Sequence, residues 1–100
     1  MANADTITKT KTGVELKEPP MFKVIYLNDN QTTMEFVVLV LMSIFHKSLE
    51  DATMLTIRIH ESGRGVAGQY SFEIAMQKKD EVVSIARLNG FPLQCEVEPS

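Results

Sequence analysis

The chain has 100 residues, of which 44% are hydrophobic and 23% are charged, and its formal net charge is -3. This length suits one domain, and the composition is typical of a folded protein rather than a disordered one. The negative charge, with lysines and arginines scattered along the chain, disfavours a nucleic-acid partner. The single cysteine, Cys95, excludes an internal disulfide. We expect neither a signal peptide nor a membrane-spanning segment, and so predict a cytoplasmic protein without a membrane partner.

The first segment, residues 1–18, is rich in threonine and lysine and contains few large apolar residues. Such a composition does not bury enough surface to offset the entropy cost of ordering, so we predict a flexible N-terminal arm. The sequence "EPP" at 18–20 resists both helix and sheet pairing and marks the boundary of a folded domain over 19–100. "MFKVIYL", residues 21–27, is β-branched and aromatic, which predicts the first strand.

Two helices follow this strand. Thr32 and Glu35 have the spacing of a capping box, which predicts a helix over 33–47. Ser48 repeats the capping pattern and predicts a second helix over 49–60.

The first predicted helix is apolar on more than one side. Leu39 and Met42 fall opposite the face that would pack on a sheet, which consists of Val37, Val40, Leu41 and Ile44. Either the second helix covers Leu39 and Met42, or they form an exposed strip for self-association or a partner.

The remaining elements are predicted from glycines and periodicity. "ESGRGVAG", residues 61–68, reads as a loop, and "QYSFEIAM", residues 69–76, alternates like a strand. A helix over 78–90 should end at Gly90, before a last strand over 92–98. The order β-α-α-β-α-β predicts an α+β fold, with one small sheet covered on one face by helices.

Polar side chains stand where the first strand ends. Asn28 and Asp29 follow it directly, and His60 would lie at the end of the second helix. Because the two helices are joined by almost no loop, the end of the second can lie beside the start of the first. Three acceptors around one point suit an ammonium group, which has three N–H donors. Met34 and Val37 could wall an apolar cavity beside it, although an ordinary turn would also explain these residues.

Catalysis is less well supported by the sequence. Cys95 and His60 could form a nucleophile and base, but Cys95 lies within a predicted strand, without a helix N-terminus to lower its pKa. No second cysteine completes a zinc site, and no phosphate-binding loop is present. We therefore predict a protein that is not an enzyme and needs no cofactor or metal.

Three segments together resemble the ClpS adaptor family: "FKVIYLNDNQTTMEFVVLVL", "ATMLTIRIHESGRGVAG" and "FPLQCEVE". The resemblance covers about residues 19–98. It implies a three-stranded antiparallel sheet packed against three helices. It also implies an adaptor of the bacterial N-end rule, which binds N-degron proteins whose first residue is Leu, Phe, Tyr or Trp. The family delivers these substrates to the AAA+ unfoldase ClpA and its peptidase ClpP.

The resemblance assigns roles to individual residues. The substrate's α-ammonium group would be held by Asn28, Asp29 and His60. The hydrophobic pocket would have Thr32 at its rim, Met34 as a gate against β-branched first residues, and walls formed by Val37, Thr56 and Leu93. Contact with the unfoldase would involve Glu73, Lys78 and the arm.

Three residues depart from the family pattern. Asn30 replaces a common aspartate, Thr33 a common proline, and Thr56 a larger apolar residue. We expect Thr56 to make the cavity wider or more polar and to shift its preference toward larger rings or tyrosine. An alternative function is a small α/β structural or assembly domain that does not recognise N-terminal peptides.

Overall fold

The computed structural model describes residues 19–100, and the arm predicted over 1–18 lies outside them. Within the described range the strands and helices are β1 Phe22–Leu27, α1 Met34–Phe45, α2 Leu49–Ser62, β2 Arg64–Tyr70, α3 Phe72–Leu88 and β3 Gln94–Pro99. The predicted order β-α-α-β-α-β and the α+β class are confirmed. No helix in this part of the chain combines the length and hydropathy needed to cross a bilayer.

The sheet has the order β2-β1-β3, with β1 in the centre and antiparallel to both neighbours. Val24 and Tyr26, two apart on β1, belong to the main hydrophobic cluster, because alternate residues of a strand share one face. The cluster is completed from the helices and from both edge strands by residues that include Val40, Leu41, Val82, Ala67 and Cys95. The sheet is therefore held against the helices through one face of its central strand.

The apolar helix α1 contacts α2, α3 and β2. Its buried residues are Phe36, Val37, Val40, Leu41 and Phe45. Leu39 and Met42, for which two interpretations were open, differ in burial. Met42 packs against the core, whereas Leu39 is 61% exposed. The helix ends two residues before the predicted position, since His46 adopts a left-handed φ of 57°.

The predictions for residues 61–76 were wrong. The expected loop over 61–68 and strand over 69–76 are replaced by the end of α2, by β2 and by the first turns of α3. Gly63, with φ of 93°, ends α2, and Gly65 lets β2 approach that helix closely. A Cβ at Gly65 would lie 2.7 Å from Cγ1 of Ile59, so the absence of a side chain at this strand position allows β2 to pack against α2.

Gly90 has the predicted left-handed conformation, with φ of 79°. It follows α3, in agreement with its expected position after the third helix.

Candidate functional site

A cavity of about 540 Å³ opens where β1 ends, α1 begins and α2 ends. Among the sequence-predicted site residues, it brings together Asn28, Asp29, Thr32, Met34, Val37, Thr56 and His60. The other lining residues are Asn30, Gln31, Thr33, Glu35 and Ile59. One side of this cavity is thus polar and the other is built from apolar helix residues.

A backbone hydrogen bond holds the polar side together. The N–H of Asn28 donates to the carbonyl oxygen of Gly63 at 2.9 Å, which joins the end of β1 to the end of α2. His60 lies in the last turn of that helix, three residues before Gly63. The sheet register, in which Leu27 pairs with Arg64, fixes the same junction. The predicted proximity of His60 to the Asn-Asp turn therefore follows from backbone pairing.

The carboxylate of Asp29 organises the turn. Oδ1 accepts hydrogen bonds from the N–H groups of Gln31 and Thr32 at 2.8 and 2.7 Å, and Oδ2 accepts from the Thr32 hydroxyl at 2.8 Å. Partial burial opposes ionisation, but the bonds from Thr32 and Gln31 outweigh it and lower the pKa of Asp29 below its ordinary value of 3.8. A carboxylate has about four acceptor positions, so one acceptor position on Oδ2 is still free for a ligand.

The start of α1 differs from the prediction by one residue. Thr33, not Thr32, is the N-cap, and its hydroxyl accepts from the N–H of Phe36 at 3.2 Å. The hydroxyl of Thr32 is committed to Asp29 instead. The hydroxyl of Thr33 therefore caps the helix, and the hydroxyl of Thr32 stabilises the turn.

Apolar side chains line the inner part of the cavity. Val37 and Ile59 are buried, whereas Met34, the first residue of α1, is 41% exposed and lies at the margin. Ile59 was missed at the sequence level, although it lies three residues from Thr56 and could have been placed on the same helix face. Leu93, predicted to line the cavity, is not among its lining residues; it is 1% exposed and belongs to the core.

The residues predicted to contact an unfoldase lie on α3, away from this cavity. Glu73 is exposed and borders a groove of about 850 Å³, which α3 forms with Ile44. This groove combines acidic and apolar side chains: Glu73, Asp80, Glu81, Phe72, Ile85 and Leu88.

Lys78 is partly buried, and its ammonium group contacts α1. Its Nζ donates to the carbonyl oxygen of Ile44 at 2.8 Å and lies 5.9 and 5.5 Å from the ring centroids of Phe45 and Tyr70. Ile44 is in the last turn of α1, where carbonyl groups lack helical partners. The ammonium group of Lys78 thus ties α3 to the end of α1.

We expect Lys78→Ala to destabilise the fold by about 1–2 kcal/mol, because a charged hydrogen bond and two cation–π contacts are lost. Urea unfolding followed by circular dichroism measures this change. Lys79→Ala is the matched control, since it removes the same charge at the next position. Equal midpoints for the two variants would contradict a structural role for Lys78.

The alternative cysteine chemistry finds no support in this geometry. Cys95 is buried in β3, and burial raises the pKa of its thiol to about 12. His60 lies in the last turn of α2 and lines the cavity, whereas Cys95 is not among the lining residues. Within residues 19–100, no three or more His, Cys, Asp or Glu residues are grouped so as to hold a metal ion.

Comparison with known proteins identifies one family. The family model described as "ATP-dependent Clp protease adaptor protein ClpS" matches residues 17–96. The ATP-dependent Clp protease adapter protein ClpS of Campylobacter jejuni is 48% identical over 91 residues, covering 91% of this chain and 95% of that protein. The adapter of the same name from Acetivibrio thermocellus is 46% identical over 94 residues, covering 94% and 95%.

A solved structure gives the same result for the fold. The structure of Agrobacterium tumefaciens ClpS2 bound to L-phenylalaninamide has a TM-score of 0.80 and 32% sequence identity to this chain. The match covers 83% of this chain and 100% of that one.

Proposed function

This chain belongs to the ClpS family of adaptor proteins of the ATP-dependent Clp protease, and from this premise we propose that it binds proteins by a bulky hydrophobic N-terminal residue. The cavity at the end of β1 would receive that residue, with Leu, Phe, Tyr and Trp as the accepted side chains. The bound proteins would then be delivered for degradation.

The arrangement of acceptors beside an apolar cavity carries this proposal. An α-ammonium group has three N–H donors, and Asp29 retains an acceptor position next to Asn28 and His60 in the same cavity wall. Asp29 is charged at neutral pH, and the hydrogen bonds that lower its pKa extend this charge to more acidic conditions. Val37 and Ile59 offer apolar surface to the side chain of the same residue. One cavity can thus recognise both the free N-terminus and the size of the first residue.

The ligand of the Agrobacterium relative supports this assignment. L-phenylalaninamide consists of a free α-amino group, a benzyl side chain and an amide that resembles the first peptide bond of a longer chain. Two of these parts have a counterpart in the proposed site: acceptors for the amino group and apolar walls for the ring.

Delivery would use other surfaces. We propose that the unfoldase is of the ClpA type, acting with ClpP in the cytoplasm. It would dock at the acidic border of the α3 groove around Glu73 and would engage residues 1–18. Lys78 would support this surface through its tie to α1.

A fluorescence anisotropy titration tests the binding step. It uses one labelled peptide that begins with Phe, its N-acetylated copy, and a copy that begins with Val. Burial of the ring contributes roughly 1.5–3 kcal/mol, and each charged hydrogen bond contributes roughly as much, against several kcal/mol for association. We therefore expect a near-micromolar Kd for the first peptide and binding at least about 30-fold weaker for the others. Equal or absent binding of all three would refute the proposal.

A further inference from the structure

Thr56 stands out in the described part of the chain as a buried polar residue in the wall of the cavity. Its exposure is 3%, whereas its neighbours in the wall, Val37 and Ile59, are apolar. Burying a hydroxyl costs free energy unless it is hydrogen-bonded. The hydrogen-bond partner of this hydroxyl therefore determines whether the hydroxyl can donate to a ligand or accept from it.

The proton of the Thr56 hydroxyl is already committed. Oγ1 donates to the carbonyl oxygen of Ala52, one turn earlier in α2, at 2.7 Å. A hydroxyl has one proton and two lone pairs, so this group can act toward an occupant of the cavity only as an acceptor. A ligand that brings a donor to this point would gain a hydrogen bond, and a hydrocarbon ring would not.

The distance along α2 indicates which ligand atom reaches Thr56. His60 and Thr56 both line the cavity and are four residues apart on one helix, a rise of about 6 Å. That separation is comparable to the distance between the α-carbon and the hydroxyl of a tyrosine. A tyrosine anchored by its ammonium group beside His60 could therefore bring its hydroxyl to the level of Thr56.

A second cavity of about 350 Å³ lies between α1 and α2 and shares Met34, Glu35 and Thr56 with the first. Thr56 therefore borders two cavities, which share a wall at this residue.

We propose that Thr56 is a specificity-determining residue, which favours N-terminal tyrosine over phenylalanine by accepting the phenol proton. This inference rests on the proposed function, because it requires the first residue of a substrate to enter the cavity. It extends that function by naming the preferred first residue and the atom that selects it.

The test compares Tyr-initiated and Phe-initiated copies of one labelled peptide on the wild-type protein and on Thr56→Val. Valine keeps the shape of threonine and removes the hydroxyl, so the ligand change and the protein change form a double-mutant cycle. We expect the wild type to bind the Tyr peptide about 3- to 10-fold more tightly, and Thr56→Val to bind the two about equally.

Thr53→Val is the matched control. Thr53 lies one turn earlier, and its hydroxyl donates to the carbonyl oxygen of Leu49 at 2.7 Å, but it lines only the second cavity and is exposed. This variant should retain the wild-type preference for tyrosine.

An unchanged Tyr-to-Phe ratio in Thr56→Val overturns the role of Thr56, while binding of both peptides still upholds the proposed function. Failure of both peptides to bind the wild type overturns the proposed function, and this inference with it. If Thr56→Val does not fold, the wild-type ratio decides, since phenylalanine bound as tightly as tyrosine contradicts the inference.

Discussion

Replacing Asp29 with asparagine should weaken the binding of a peptide that begins with phenylalanine by at least about 100-fold. The substitution keeps the size of the side chain and one acceptor oxygen for the turn, but it removes the negative charge. Hydrogen bonds to charged partners contribute roughly 1.5–3 kcal/mol, and the α-ammonium group would be left without its counter-charge. The loss should appear in Kd measured by anisotropy.

Asp51→Asn provides the control for this experiment. Asp51 is an exposed residue in the first turn of α2, and it does not line the cavity, so the variant changes the net charge equally. It should bind the peptide like the wild type. A loss below about threefold in Asp29→Asn, with the fold intact by urea unfolding, would argue against an ammonium site at this turn.

Replacing Met34 with alanine should admit N-terminal valine. Met34 lies at the cavity margin and in the wall shared with the second cavity, so in the proposed binding mode its side chain would contact a branched β-carbon. Relief of this contact should strengthen binding of a Val-initiated peptide at least about 10-fold and change binding of the Phe peptide far less.

Met54→Ala is the matched variant for Met34. Met54 is 61% exposed on α2 and lines neither cavity. Its truncation should leave the discrimination against valine unchanged. If Met34→Ala still rejects valine as strongly as the wild type, the gate must be sought elsewhere in the wall.

The part of the fold that could be predicted from sequence is the part with local signals. The apolar run of β1, the cap at Ser48 and the glycine after α3 each act on their own neighbours, and the structure has them near the predicted positions. Gly65 is not required by the conformation of its own neighbours in sequence. Its small size is required by Ile59 on another element, and a sequence pattern cannot distinguish that requirement from a loop.

The candidate site could also be predicted only in part. The turn residues Asn28 and Asp29 were placed correctly at the end of β1, since strand ends are local features. Leu93 lies near the start of the strand predicted over 92–98 and just before the observed β3, but its burial in the core depends on helix packing that periodicity does not specify. Lys78 likewise reads as a surface charge until the end of α1 is seen beside it.

The position of β1 in the sheet has a mechanical consequence. The chain enters the fold at the N-terminal end of this strand, where Phe22 pairs with Tyr70 and Pro99, and the cavity lies at the opposite end, beyond Leu27. If the residues that precede Met21 were pulled while a bound protein was held in the cavity, the force would act along β1. The ladders on both sides would then be sheared together rather than opened one bond at a time. Traction from the Ser100 side would strain β3, an edge strand with a single ladder, so we expect the fold to resist pulling better from its N-terminal side.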